Sequence, residues 1–307
     1  VQRSPDQELA VCAARHHGVF TAVHARLIGL TRDQAAHRVV TGRWEWVHDD
    51  VYRLAGVPES WEGALLAACW AGGFRAVASH RSAAALWGLA GGRRSIAEIS
   101  CPRWRRARHD RVVVHETNAI DPIDCAFVDA IPVTTVERTL LDLGAVCHES
   151  VVELALDAAE RRELVTIASV RAALDRLARP GRNGVGTLRA LLDRGSPRRA
   201  VPESDMETML LQVLRRGGLP EPLTQHEIRQ GRVFVARVDA AYPEARLAIE
   251  YDSYQEHAGR LALVRDVERR NRLIAAGWTP ISATAVDLQS GGLALCATIR
   301  SALERAS

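Results

Sequence analysis

Arg237-Val-Asp-Ala-Ala-Tyr-Pro243, then Leu247-Ala-Ile-Glu-Tyr-Asp-Ser-Tyr-Gln-Glu-His257, then a basic run closing on Ala276-Gly-Trp278, make up the stretch whose reading decides the fold. Arg232 to Ala241 and Leu247 to Tyr251 carry the valine, isoleucine and tyrosine of strands. Pro243-Glu-Ala-Arg246 fits a four-residue hairpin connection between them. With Tyr242 and Leu247 flanking that turn, Asp239 falls opposite Glu250. Opposed residues in an antiparallel pair share a face, as do residues two apart. Asp239, Glu250 and Asp252 therefore belong to one face, and Leu247, Ile249 and Tyr251 to the other.

Carboxylates crowded together repel one another and resist ionisation, a cost that a divalent cation removes. Hard oxygen donors suit Mg²⁺ or Mn²⁺, which binds through one or two carboxylates, waters and substrate phosphate. Such an ion activates water and stabilises charge on a phosphodiester. From the residues alone, ordinary acids on a solvated strand face remain the alternative.

The pattern Asp239 … Glu250-x-Asp252 … His257, followed by Arg265-Asp-x-x-Arg-x-Asn271 and Ala275-Ala-Gly-Trp278, resembles the small nuclease domains related to very-short-patch-repair endonucleases. These belong to the PD-(D/E)XK restriction-endonuclease-like superfamily, and the resemblance spans about residues 203–300. It implies a Mg²⁺ (or Mn²⁺) site at Asp239, Glu250 and Asp252, with Glu207 on the preceding helix completing it. His257 is then placed to activate or relay protons to the attacking water. Two departures stand out. The family's glycine after Glu-x-Asp is Ser253, and the superfamily lysine is missing from a chain with no lysine at all. Related repair enzymes also lack that lysine.

At 307 residues, 47% apolar and 25% charged, the chain has the size and composition of a multidomain globular protein. No apolar run reaches membrane-spanning length, and no charged-then-apolar leader opens the sequence. A cytoplasmic protein with no membrane partner is expected. Cys12, Cys69, Cys101, Cys125, Cys147 and Cys296 are scattered without C-x-x-C spacing, which argues for core thiols and against a zinc site. The net charge is +3, and segments 1–57, 58–195 and 196–307 each carry one more arginine than acid. Nucleic-acid binding must then come from local clusters.

Residues 1–57 read as three short helices and a hairpin. Ser4 and Pro5 open the first, Thr21 caps the second (Ala22 to Leu30), and Thr31 caps the third (Arg32 to Thr41). Trp44 to Leu54 alternates as a hairpin with Asp49-Asp50 at its tip. That order is a winged helix, whose third helix enters the DNA major groove. Arg32, Gln34, His37 and Arg38 are its candidate readers. Arg43 and Arg53 are candidate phosphate contacts from the wing, and Trp44 and Trp46 read as packing. A helical module that packs only on its neighbour is the alternative. Gly18-Val-Phe-Thr21, Gly42-Arg-Trp44 and Val51-Tyr-Arg-Leu-Ala-Gly56 resemble the N-terminal domain of AbiEi-type antitoxins. Those are transcriptional autoregulators of toxin–antitoxin pairs, so the resemblance implies promoter DNA and a cognate toxin as partners.

Residues 58–195 are expected to form an α/β middle domain similar to the region that follows the winged helix in AbiEi-like proteins. Helices are expected at Trp61 to Gly72, after Ser79, at Val151 to Leu164 and at Ser169 to Leu177. Strands are expected at Ile96 to Cys101 and Val112 to His115, and Thr134 with Glu137 has capping-box spacing. Arg103, Arg105, Arg106, Arg108 and Arg111 surround Trp104, either a phosphate-binding loop or a solvated tip. His80 and Ser82 lack a third group to orient them, so no catalytic cluster is read in this segment.

A linker zone, Arg179 to Val201, leads to residues 196–307. There Glu203 to Arg216 is helical, and Arg260 to Ala276 forms a second helix. On it Arg265, Asp266, Arg269 and Arg272 recur at spacings of three and four. Arg265 and Arg269 are candidate phosphate contacts, or Arg269 pairs with Asp266. The fold expected is α+β and multidomain: winged helix, α/β middle domain, restriction-endonuclease-like α/β domain. The function expected is DNA binding with Mg²⁺-dependent endonuclease activity. The alternative is an AbiEi-like regulator whose nuclease fold no longer cuts. The oligomeric state is not legible.

Overall fold

The computed structural model describes residues 3–104, 111–194, 204–252 and 260–306, with side chains described throughout these except at 260–266. The chain is α+β, with three sheets among the described residues. It divides into two compact units, Val1–Ala155 with Val165–Ala190, and Leu156–Leu164 with Leu191–Ser307. Among the described residues no helix is long and apolar enough to cross a membrane.

The first unit opens with α1 (Pro5–Ala14), β1 (Val19–Thr21), α2 (Ala22–Leu27), α3 (Arg32–Val40), β2 (Trp44–His48) and β3 (Val51–Leu54). Each of the three helices starts on a reciprocal cap, Ser4 with Gln7, Thr21 with His24 and Thr31 with Gln34. Such caps satisfy N–H groups that the first turn leaves open. The hairpin β2–β3 is joined by β1 in an antiparallel sheet of order β1-β3-β2. Leu9, Phe20, Ala25, Leu30 and Trp44 form the core beneath it.

The same unit continues with α4 (Trp61–Gly72), β4 (Val77–Ala78), α5 (His80–Trp87), β5 (Ala97–Cys101), β6 (Val112–Glu116), β7 (Cys125–Val128), β8 (Ile131–Thr134), α6 (Val136–Val146), the first part of α7 (Glu149–Arg161), α8 (Ile167–Leu177) and the first part of α9 (Val185–Arg194), the later residues of α7 and α9 belonging to the second unit. Its sheet has the order β6-β5-β4-β8-β7, with β5–β6 and β4–β8 parallel. The apolar helix α4 packs Leu65, Leu66 and Cys69 against Ile99, Ile131 and Val133 of this sheet. Thr135, not Thr134, caps α6, accepting from the Arg138 N–H, while the Thr134 hydroxyl bonds the buried Thr139 hydroxyl at 2.8 Å.

The second unit holds α10 (Asp205–Arg216), β9 (Leu223–Gln230), β10 (Val233–Tyr242), β11 (Leu247–Tyr251), α11 (Arg260–Ala275), β12 (Thr279–Ala283), α12 (Ala285–Gln289) and α13 (Leu293–Ala306). The sheet order is β12-β11-β10-β9, antiparallel except for the parallel pair β11–β12. Ala240, Tyr242, Leu247 and Ile249 pack against Leu210 and Leu214 of α10 and Ile299 of α13. Ala236, Ala241 and Ala248 pack against Leu273 of α11. Small residues on that second face let α11 lie close over the strands that carry Asp239 and Glu250.

Candidate active site and nucleic-acid interface

The hairpin register pairs Ala240 with Ile249, Ala241 with Ala248 and Tyr242 with Leu247. Carried one residue further, it sets Asp239 opposite Glu250, and both are half-buried. The Tyr251 N–H donates to Asp239 Oδ2 at 2.7 Å. Glu250 Oε1 accepts from Arg269 Nη2, which also donates to the Arg237 carbonyl at 2.6 Å. Asp252 is exposed just past β11, where its N–H holds the Ala283 carbonyl at 2.8 Å. Glu207 lies in the first turn of α10, accepting from Gln225 Nε2 at 2.7 Å and from the Ser204 hydroxyl at 3.2 Å. Ser253 and His257 lie outside the described residues, as do the side chains of Arg265 and Asp266.

Asp239, Glu250, Asp252 and Glu207, expected to gather around one ion, do not bring three donor atoms within 4.8 Å of one another. Among the described residues, the groups of three ligand-type side chains with donor atoms within 4.8 Å of one another are Cys12–His16–His24 and His80–Glu98–His115. Arg269, expected on phosphate or on Asp266, instead neutralises Glu250. The cause is local. Leu273 anchors α11 on Ala241 and Ala248, and Arg269 sits one turn earlier on the same helix face, above the acids. Beside them opens a cavity of about 460 Å³ lined by Arg237, Arg269 and Arg272 with Glu227 and Phe234. Arg237 was not anticipated as a contact. Its spacing of two from Asp239 along one strand face was the signal that finds it.

In the first unit the candidate readers part company. Arg32 and His37 on α3 are exposed, and Arg43 keeps 69% of its side-chain surface. Gln34 spends its amide oxygen on the Thr31 N–H. Arg38, expected as a reader, forks onto Asp6 at 2.8 and 3.1 Å, donates to the Gln34 carbonyl and is 14% exposed. Its hydrogen bond holds the Asp6 carboxyl below the usual range. Arg53 likewise pairs with Glu45 across β2–β3, and also with Glu59 at 3.8 Å. Both arginines brace the fold. Trp44 is buried against Phe20 and Tyr52, whereas Trp46, expected to pack, is 58% exposed. Arg105, Arg106 and Arg108 lie outside the described residues. Of that loop's flanks, Arg111 pairs with Glu59 at 3.4 Å.

The middle segment, read as lacking any catalytic cluster, contains a buried polar one. His80 stacks on His115 with ring centroids 3.5 Å apart, and His115 Nε2 lies 2.7 Å from Glu98 Oε1. Burial, and then His115 beside it, push the His80 imidazole down to about 3. Burial alone would raise the Glu98 carboxyl; the His115 hydrogen bond, His80 and the Arg81 N–H outweigh it and hold it below the ordinary range. Close by, Arg138 bonds Asp142 at 2.9 Å and lies 3.8 Å from Asp124, all three almost fully buried. The orienting group that His80 lacked in sequence comes from 18 and 35 residues away, across β5 and β6, a distance no local pattern spans.

No family model matches the chain. Two relatives, the uncharacterized proteins MT2308 and Rv2248 of Mycobacterium tuberculosis, are each 36% identical to it over 126 residues. That match covers 41% of this chain and 45% of theirs, so the chain spans less than half the length of the curated relatives it matches. Among solved structures, the RV2827C protein from Mycobacterium tuberculosis aligns with a TM-score of 0.39 and 16% identity, over 63% of this chain and 78% of that one.

Proposed function

We propose that the chain is a DNA-binding protein whose second unit is a restriction-endonuclease-like domain hydrolysing phosphodiesters with Mg²⁺, and whose first 57 residues are a winged helix. The observation that carries this reading is the placement of Asp239 opposite Glu250 on adjacent strands beside an arginine-lined cavity. The donor set fits the ion, because carboxylate oxygens suit Mg²⁺ or Mn²⁺. Asp239 and Glu250, with Asp252, would hold it, and Glu207 in the first turn of α10 is the candidate outer acid. When bound, the ion supplies an activated water and charge stabilisation at phosphorus. Arg237 and Arg272 grip the flanking phosphates, and Arg269 exchanges from Glu250 to phosphate as the duplex enters. The Tyr251 N–H orients Asp239 for its role. Arg32, His37 and Arg43 give α3 and the wing their nucleic-acid contacts. Plasmid DNA incubated with the protein and Mg²⁺ tests the reading. Nicking or linearisation is expected, abolished by chelator and by Asp239→Ala; equal cleavage by that variant removes the assignment.

One observation favours a second reading, an AbiEi-like regulator that binds promoter DNA, with a cognate toxin as partner, and does not cut. Glu250 already carries a permanent cation in Arg269, and the chain lacks lysine and has Ser253 after the Glu-x-Asp block. Its mark is a gel shift on the gene's own upstream DNA, preferred over random sequence and lost in Arg32→Ala with Arg43→Ala, without metal-dependent cleavage.

A further inference from the structure

The cluster around His80 has features that a purely structural polar core does not need. His80 opens α5 with φ +50°, a left-handed conformation that a non-glycine residue rarely adopts. That backbone sets its imidazole against His115 from β6, which lies beside β5 in parallel register, Ser100 opposite His115. Glu98 comes from β5 two residues earlier, on the same face as Ser100. One donor atom from each of the three lies within 4.8 Å of the others. A tetrahedral ion with metal–nitrogen bonds of 2.0–2.1 Å holds its donors about 3.4 Å apart; because the two rings are stacked with planes 15° apart, binding one ion requires His115 to turn out of the stack so that both in-plane lone pairs converge.

Outer partners orient two members of the trio, His80 and Glu98, and Glu98 in turn holds His115. His80 Nδ1 is 2.9 Å from the Ser79 hydroxyl, which accepts from the Ser100 hydroxyl at 2.8 Å, and this fixes the ring with Nε2 as its remaining nitrogen. Glu98 Oε2 accepts the Arg81 N–H at 3.1 Å, and the Glu98 N–H donates to Ser82 Oγ at 2.8 Å. Ser79 occupies the cap position of α5, yet its hydroxyl makes no cap bond and serves His80 instead. Ligating histidines characteristically hold such a second bond through the nitrogen away from the metal. His80 and His115 also line a cavity of about 400 Å³ with Thr117, Arg179, Arg182 and Asn183.

We infer that His80, Glu98 and His115 bind a divalent transition-metal ion of the zinc class, with an open coordination position facing the cavity. Two imidazoles and one carboxylate form a donor set that zinc and its first-row neighbours accept, and three protein ligands leave a place for an exogenous one. Arg179 and Arg182 on the cavity wall select an anion for that place. The inference is independent of the acid face, which belongs to the other compact unit.

The test uses the full chain carrying Asp239→Ala and Cys12→Ser, so that neither the acid face nor the Cys12–His16–His24 group contributes. The protein is stripped with chelator, dialysed and titrated with Zn²⁺, Co²⁺ and Mn²⁺ in turn. One equivalent of Zn²⁺ or Co²⁺ is expected, with Co²⁺ giving visible d–d absorption. Ser79→Ala weakens binding about 10–100-fold, and His115→Ala weakens it further while circular dichroism stays native. Glu98→Gln provides the same readout if His115→Ala fails to fold. Absence of any binding in the parent chain overturns the inference, as does a folded His115→Ala or Glu98→Gln chain that binds as tightly as the parent.

Discussion

Arg138 with Asp142 in the first unit and Arg269 with Glu250 in the second are both arginine–carboxylate pairs, yet they do different work. The first pair is sealed, with side chains 3% and 5% exposed, and Arg138 spends a further bond on the Ala119 carbonyl. The second is 41% and 23% exposed and borders an open cavity. Removing one partner of a sealed pair leaves a charge in low dielectric, at a cost of about 3–5 kcal/mol. A pair in contact with solvent is worth about 0–1 kcal/mol and exchanges partners readily. Depth thus separates a structural pair from one that a metal ion or a phosphate can displace.

Four substitutions test that contrast, in decreasing order of expected effect. Asp239→Ala removes an anchor for the ion and lowers Mg²⁺-dependent cleavage about a thousandfold, the several kcal/mol such an ion supplies, as read from initial rates on supercoiled plasmid. Arg138→Met leaves the buried Asp142 with only the longer 3.6 Å pair to Arg182 and lowers unfolding free energy by about 3–5 kcal/mol in urea titrations. A loss under about 1 kcal/mol there would erase the distinction between the pairs. Arg269→Ala costs at most about 1 kcal/mol in the same titration. It also releases Glu250, tightening Mg²⁺ binding roughly tenfold by calorimetry while weakening DNA binding. Asp6→Asn has the smallest effect, below about 1 kcal/mol, because Asp6 keeps 48% of its side-chain surface. Arg38 depresses the Asp6 carboxyl in the folded state, so its contribution is full above the unfolded value near 3.9 and is lost as pH falls through the lower folded value. The difference between wild-type and variant thermal melts is therefore present at pH 6 and vanishes in strong acid.

Legibility followed the sequence separation of the parts. The hairpin β10–β11 reads directly, since a Pro-initiated turn and period-two alternation determine which residues oppose Asp239. The helix α11 and the strand β12 follow from the arginine spacing and from Gly277, which takes φ +80° at the helix end. β1 escaped notice because Val19-Phe-Thr21 is three residues long and pairs with a strand more than thirty residues on. The β7–β8 hairpin escaped for a different reason. Its turn places Asp129 and Ala130 at φ +51° and +66°, where a Gly or Asn would have announced it. Arg38 looked like a base reader because its helix position is exposed in pattern; the carboxylate that captures it comes from α1. The histidine cluster was invisible for the same cause, its three members meeting only once β5 and β6 align in parallel.

The most direct measurement is anomalous diffraction from crystals of the protein soaked in Mn²⁺. A peak between the Asp239 and Glu250 carboxylates, with the Arg269 guanidinium withdrawn from Glu250, is the result the account predicts. An empty map there, with Arg269 still seated on Glu250 at saturating Mn²⁺, contradicts it.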